Sequence, residues 1–161
     1  MARRSPRATK KRSAVRVARR RIKRPPALFF QALLAQETPA AKKIDLIRSG
    51  VSARVVDDMV AYLHVPKNDI FKLLRTPEST AHKLIRDNRP LDPGASERVV
   101  RVAEITKTAE ETFGGREAAA QWLKTPNLAL KAATPLSMLD TEPGAREVRR
   151  ILSAINHGGV F

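Results

Sequence analysis

Short helical stripes of apolar residues, each closed off by proline or glycine, constrain this chain more than any other feature. A polar residue followed by proline precedes such a stripe at Thr76-Pro77, Asp92-Pro93 and Thr134-Pro135, a pair typical of a helix start. Glycines at Gly50 and Gly114-Gly115 mark helix ends. No segment alternates apolar and polar residues convincingly, as a half-buried strand would. The pattern therefore predicts an all-α fold.

Three consecutive stripes indicate a helix-turn-helix. We expect Ser52 to be the N-cap of the first helix, Pro66 to stand in the first turn of the second, and Thr76-Pro77 to cap and begin the third. The apolar positions are Val56, Met59, Val60 and Leu63, then Ile70, Leu73 and Leu74, then Ala81, Leu84 and Ile85. Three short helices with a tight connection are typical of this motif.

Two further short helices are expected before this unit. The first carries apolar residues from Leu28 to Leu34 and stops before Thr38-Pro39, and the second carries Ile44 and Ile47 and ends at Gly50. These helices could pack on the rest of the chain or form a dimer contact. Core packing is favoured, because small helices need to bury such a face.

A long helix is expected to join two modules. It begins at Asp92-Pro93 and ends at Phe113, and the last helix begins at the N-cap Thr141 and carries its apolar face from Val148 to Ile155. Between them we expect a short helix through Trp122 and a loop over residues 125–133. The predicted units are a basic tail, residues 1–26, a helix-turn-helix domain, residues 27–106, and a second helical domain, residues 107–161.

The net charge of +15 is concentrated in the tail. Twelve of the 31 basic residues and none of the 16 acidic residues lie in residues 1–26, which leaves 19 basic residues for the rest of the chain. Such a segment repels itself, so we expect it to be disordered and to bind a polyanion. A tail that only aids solubility is one alternative, and a mitochondrial transit peptide is another.

Several classes of protein are disfavoured by what the sequence lacks. There is no cysteine, which suits a reducing cytoplasm, and no apolar run long enough to span a bilayer. The three histidines are far apart, and no phosphate-binding loop or nucleophile motif occurs. We therefore expect a cytoplasmic protein that is not an enzyme, with no cofactor, no metal and no membrane partner.

The last third of the chain carries a set of residues whose types and spacings form a recognisable pattern. They are Ala109, Phe113-Gly114, Ala119, Trp122-Leu123, Pro126-Asn127, Leu130, Pro135-Leu136, Leu139, Thr141, Gly144, Val148, Leu152, Ile155 and Gly158. This pattern resembles the toxin-binding domain of the Xre/MbcA/ParS antitoxin family. The resemblance implies an antitoxin that neutralises a RES-domain toxin, which uses NAD, by occluding its NAD cleft, and that represses its own promoter. It also implies a homodimer that forms a hetero-oligomer with the toxin, and it argues against a mitochondrial transit peptide.

DNA contacts are expected on the third helix of the helix-turn-helix and in the tail. The resemblance aligns Thr80 and Lys83 with the recognition helix, and polar and basic side chains on such a helix read bases and hold phosphates. The candidates are Ser79, Thr80, His82, Lys83, Arg86, Arg19, Arg20 and Arg21. An ordinary solvated helix face is the alternative. Two departures from the family are Arg75 in the turn and Glu78-Ser79 at the helix start.

Toxin contacts are expected at the C-terminal end, which faces the toxin in the family. The candidates are Asn156, His157, Gly158, Gly159, Val160, Phe161, Arg149 and Arg150. Trp122 could be a core anchor or an interface residue, and core is favoured because its helix must pack. This chain has Lys131-Ala132 where the family commonly has two glycines. A DNA-binding regulator or nucleoid-type protein without a toxin is the alternative function, and an RNA-binding role is disfavoured by the scarcity of aromatic residues.

Overall fold

The computed structural model describes residues 29–35 and 38–158. Within them the fold is all-α, as the short apolar stripes bounded by proline and glycine predicted. Its α-helices are α1 (Phe29–Ala35), α2 (Ala40–Ser49), α3 (Val55–Leu63), α4 (Lys67–Leu73), α5 (Glu78–Arg86), α6 (Pro93–Phe113), α7 (Arg116–Lys124) and α8 (Glu142–Asn156). Two 3₁₀ helices, Leu128–Leu130 and Leu136–Asp140, lie between α7 and α8. The basic tail, with Arg19, Arg20 and Arg21, lies outside the described residues, as do Gly159, Val160 and Phe161.

Helix α6 is the centre of the fold. It begins as predicted, with the Asp92 side chain accepting a hydrogen bond from the Ala95 amide at 2.9 Å, and it ends at Gly114 with a φ of 78°. It packs against α1, α2, α7, α8 and the second 3₁₀ helix. Its buried side chains include Val99, Val102 and Ile105, so one continuous core runs along its length.

Helices α3, α4 and α5 follow α2 in the arrangement expected of a helix-turn-helix, with α4 and α5 joined by a short turn. Two of the predicted caps are wrong. Helix α3 begins only at Val55, because Ala53 donates its amide to the Arg89 carbonyl at 3.0 Å and so draws the chain around Ser52 into a non-local pairing. The buried Thr76 hydroxyl donates to the Leu74 carbonyl at 3.4 Å and does not cap α5.

The first two helices differ in how deeply they are buried. Helix α1 packs into the core, where Phe30 meets Tyr62 edge-on with ring centroids 5.5 Å apart. The Asp58 carboxylate accepts the Phe29 amide at 3.0 Å, and burial raises the pKa of this acid. Helix α2 packs against α6 but buries none of its residues fully. Core packing is therefore confirmed for α1 and is only partial for α2.

The segment after α6 forms the second helical module. Thr141 caps α8 as predicted, accepting the Gly144 amide at 3.2 Å, and Val148, Ile151 and Leu152 are buried. Trp122 is half-buried and packs on Phe113 with ring centroids 5.2 Å apart. Among the described residues, no helix is both long and apolar enough to cross a bilayer.

Candidate DNA-binding and toxin-binding surfaces

Helix α5 presents a polar face. Only Ala81 is fully buried in this helix, which packs on α4 through that side, while Leu84 and Ile85 are half-buried. The predicted DNA-binding residues of this helix are all exposed: Ser79, Thr80, His82, Lys83 and Arg86. Four of them, at positions 79, 82, 83 and 86, are spaced i, i+3, i+4 and i+7 and therefore form one stripe.

Two acidic residues temper the charge of this stripe. Glu78 lies 3.4 Å from the His82 ring, which also meets Phe71 edge-on with centroids 5.2 Å apart. Arg86 donates to Asp87 at 2.9 Å, and this bond holds the pKa of the Asp87 carboxyl below its usual range. Both pairs are at the surface, where a competing phosphate can replace the acid at little cost.

The structure adds basic residues that the sequence pattern did not identify. Leu91 donates its amide to the Val51 carbonyl at 2.7 Å, and Ser52 and Pro90 form an isolated β-bridge. This pairing brings the chain around Arg54 next to the exposed Arg89, just after the end of α5. The contact is between segments far apart in sequence, so no local pattern could have revealed it.

The turn before α5 is tied to the C-terminal module. Arg75 has a left-handed backbone, with a φ of 52°, and its guanidinium donates to Asp140 at 2.8 Å. Arg98 donates to the Leu74 carbonyl at 3.3 Å and to the Asp140 carbonyl at 3.1 Å. The departure at Arg75 therefore supplies an ion pair between the turn before α5 and the second 3₁₀ helix.

Arg101 joins α6 to the same 3₁₀ helix and to α8. Its guanidinium donates to the Leu139 carbonyl at 3.1 Å and to both carboxylate oxygens of Glu97 at 2.6 Å. Its Nε lies 3.3 Å from the Glu142 carboxylate but is not aligned for a hydrogen bond. With a side chain only 8% exposed, Arg101 is a structural residue that joins these elements.

The predicted toxin-binding residues are only partly described. Asn156, His157 and Gly158 are exposed at the end of α8, and the His157 Nδ1 lies 2.6 Å from the Ser153 carbonyl oxygen. Arg149 pairs with Glu142 at 3.0 Å, and Arg150 pairs with Glu147 at 2.9 Å. Both arginines are therefore already engaged by acids of their own helix, while the remaining predicted contacts lie outside the described residues.

The loop after α7 holds a feature that the sequence analysis missed. Leu128, in the first 3₁₀ helix, is 92% exposed, whereas Leu130 two residues later is buried. Asn127 accepts the Ala129 amide at 2.9 Å, as predicted for a fixed loop. Lys131 and Ala132 have φ values of 53° and 63°, in the left-handed region that glycine favours. These are the two positions at which the sequence analysis noted glycines in the family that this chain resembles.

The left-handed backbone at Ala132 should make this residue less stable than a glycine would be at the same position. Left-handed conformation costs a residue with a Cβ about 1 to 2 kcal/mol, so we expect Ala132→Gly to raise the free energy of unfolding by about 1 kcal/mol. The matched control is Ala129→Gly, in the 3₁₀ helix of the same loop, which should instead lower it by about 0.5 to 1 kcal/mol. Urea unfolding checks both, and an equal loss in the two variants would contradict the argument.

No group of three or more acidic or histidine residues in the described chain is placed to hold a metal ion. The surfaces described above are a polar and basic face on α5, and an apolar loop tip and a helix end in the C-terminal module.

Comparison with known proteins matches both parts of the chain. Residues 43–104 match the family model of the antitoxin Xre-like helix-turn-helix domain, and residues 108–158 match the antitoxin Xre/MbcA/ParS C-terminal toxin-binding domain. The chain is 32% identical over 117 residues to the Antitoxin Xre of Yersinia enterocolitica, covering 71% of this chain and 78% of that one. It is 31% identical over 125 residues to the Prs ADP-ribosylating antitoxin of a Sphingobium species, covering 72% and 79%.

The two matched segments meet within α6, between residues 104 and 108. The helix-turn-helix match contains the exposed face of α5, and the toxin-binding match contains Leu128, α7 and α8. The chain therefore belongs to the Xre/MbcA/ParS antitoxin family and is an antitoxin of a toxin–antitoxin system, with a helix-turn-helix domain followed by a C-terminal toxin-binding domain.

Proposed function

We propose that this antitoxin neutralises a RES-domain, NAD-consuming toxin by covering its active site, and that it represses its own operon by binding operator DNA. The observation that carries the proposal is the match of residues 108–158 to a toxin-binding domain, directly continuous with a helix-turn-helix through α6. The relative named Prs ADP-ribosylating antitoxin supports an NAD-consuming toxin as the partner, because ADP-ribosylation consumes NAD.

The proposed division of labour follows the two surfaces. Residues 27–106 bind operator DNA through Ser79, Thr80, His82, Lys83 and Arg86, and the basic tail, residues 1–26, adds phosphate contacts through Arg19, Arg20 and Arg21. Residues 107–161 bind the toxin, with contacts at the end of α8 from Asn156 to Phe161 and at Arg149 and Arg150. A homodimer on DNA would present two recognition helices, and each subunit would hold a toxin in the hetero-oligomer.

The test uses the RES-domain protein encoded by the reading frame next to this gene. We expect the full chain to restore growth when it is co-expressed with that protein and to stop NAD turnover by the purified protein. If no such reading frame exists, or if turnover continues at saturating antitoxin, the toxin assignment is wrong. The chain would then be a DNA-binding regulator without that partner.

DNA recognition is tested with Thr80→Ala and Lys83→Ala. Both side chains are exposed on α5, so their removal should leave folding intact and weaken operator binding by about 1 to 3 kcal/mol each, as for a lost base contact. The measurements are operator affinity and repression of a reporter behind the operon promoter. Inhibition of NAD turnover should not change, because the altered side chains lie outside the toxin-binding domain.

Lys72→Ala is the matched control for this prediction. Lys72 is an exposed lysine on α4, and it lines a groove with Leu136 and Asp140 of the second 3₁₀ helix. We expect it to change operator affinity much less than Lys83→Ala does. Equal losses for the two lysines would mean that only overall charge matters and that α5 is not the reading helix.

A further inference from the structure

Leu128 is the most exposed large apolar side chain in the described part of the chain. It is 92% exposed, and the only other exposed large apolar residue there is Ile44 on α2, at 45%. The other leucines in the segment matched to the toxin-binding domain, such as Leu123, Leu130 and Leu139, are buried. A leucine left fully in water forgoes the free energy of burial, which a partner can recover.

The loop holds Leu128 outward and does not let it fold back. Asn127 donates its amide to the Ala133 carbonyl at 3.0 Å and accepts the Ala132 amide at 3.0 Å, which closes the loop on itself. Lys131 donates to the Leu128 carbonyl at 3.0 Å. Leu130 is the buried leucine of this loop, whereas Leu128 stays 92% exposed on the backbone that these hydrogen bonds fix.

The surroundings of Leu128 define the chemistry of the partner. Pro126, Ala129 and Ala132 are also exposed, so the loop tip is a small apolar knob, and Lys131 adds one exposed positive charge beside it. Such a knob fits an apolar pocket that has an acidic residue at its rim. DNA offers no such pocket, because its accessible surface is dominated by phosphates.

We propose that Leu128, at the tip of the loop formed by residues 125–133, inserts into an apolar pocket of the toxin and is a main anchor of the complex. The inference rests on the proposed function, and the match to the toxin-binding domain places this loop in the segment that binds the toxin. The two left-handed residues at its base keep the anchor in one orientation before the toxin arrives, and such preorganisation lowers the entropy lost on binding.

The experiment measures the Kd of the purified RES-domain protein from the adjacent reading frame for the full-length antitoxin. We expect Leu128→Ser to raise Kd at least about tenfold, as for a leucine that is buried in the complex. Leu128→Met, which keeps an apolar side chain of similar size, should stay within about threefold of the wild type. Ile44→Ser is the matched control, since it removes the other exposed apolar side chain from the helix-turn-helix domain, and should leave Kd unchanged.

Thermal unfolding of each variant shows whether folding is retained, which is expected because both altered side chains are exposed. A Leu128→Ser variant that binds as tightly as the wild type overturns the anchor and leaves the proposed function standing. A change in self-association with unchanged toxin affinity also overturns it, because the knob would then contact a second copy of the chain. A wild-type chain that does not bind the toxin removes the proposed function and this inference together.

Discussion

Gly144→Ala should lower the free energy of unfolding by about 3 kcal/mol, against the ordinary preference of helices for alanine. A Cβ at this position would overlap the Met138 carbonyl oxygen and lie 3.0 Å from its carbonyl carbon. That backbone cannot move aside without shifting the second 3₁₀ helix, whose Leu136 and Leu139 are buried. The substitution should therefore push α8 away from the second 3₁₀ helix. Urea unfolding would show the lower stability, and inhibition of NAD turnover should be lost near the lowered transition temperature.

Gly94→Ala is the control for this effect. Gly94 also lies in the first turn of a capped helix, but its Cβ would meet only side chains, the Asp92 carboxylate at 3.1 Å and Arg98 at 3.5 Å. Side chains can adjust, so we expect the unfolding free energy to stay within about 1 kcal/mol of the wild type. Equal destabilisation at the two glycines would show that first-turn flexibility, and not contact with Met138, is what the chain needs.

Arg101→Met should lower the free energy of unfolding by about 2 to 3 kcal/mol. The substitution leaves the Leu139 carbonyl without its charged donor and removes the cation that Glu97 and Glu142 share. Methionine keeps the apolar stem of the side chain, so the loss reports the guanidinium and not a cavity. Chemical unfolding at neutral pH gives the measurement.

Arg150→Met serves as the comparison for Arg101. Its ion pair with Glu147 is half exposed and lies within one helix, so its removal should change stability by less than about 0.5 kcal/mol. A loss at Arg101 as small as this would mean that water replaces the guanidinium at Leu139 and that α8 is held by its apolar face alone.

The sequence predicted those features whose cause lies within a few residues. Asp92, Thr141 and Asn127 each bond an amide two or three residues ahead, so cap chemistry alone identifies them. The apolar stripes of α3, α6 and α8 were equally clear, because helical spacing reports the buried face directly. These local signals predicted the all-α fold class, and the polar residues between the apolar positions of the third helix predicted the polar face of α5.

What the sequence could not reveal depends on distant contacts. Ser52 fits a cap pattern, but the chain beside it pairs with the Arg89 carbonyl, which no local rule describes. In the run Leu128-Ala129-Leu130 composition does not show which leucine is buried, since the answer depends on the shape of the core below. No local pattern marks Arg101 as buried, and the approach of the second 3₁₀ helix makes it an internal residue.

Helix α6 has 21 residues and passes without a break from the helix-turn-helix domain into the toxin-binding domain, a length of about 30 Å. A continuous helix is a rigid spacer, whereas the end-to-end distance of a glycine-rich linker varies widely. In the proposed complex, each toxin would therefore be held at a fixed distance from the DNA and in a fixed orientation. The width of the toxin would then determine how closely two operator sites can lie on the same face of the double helix while both remain occupied.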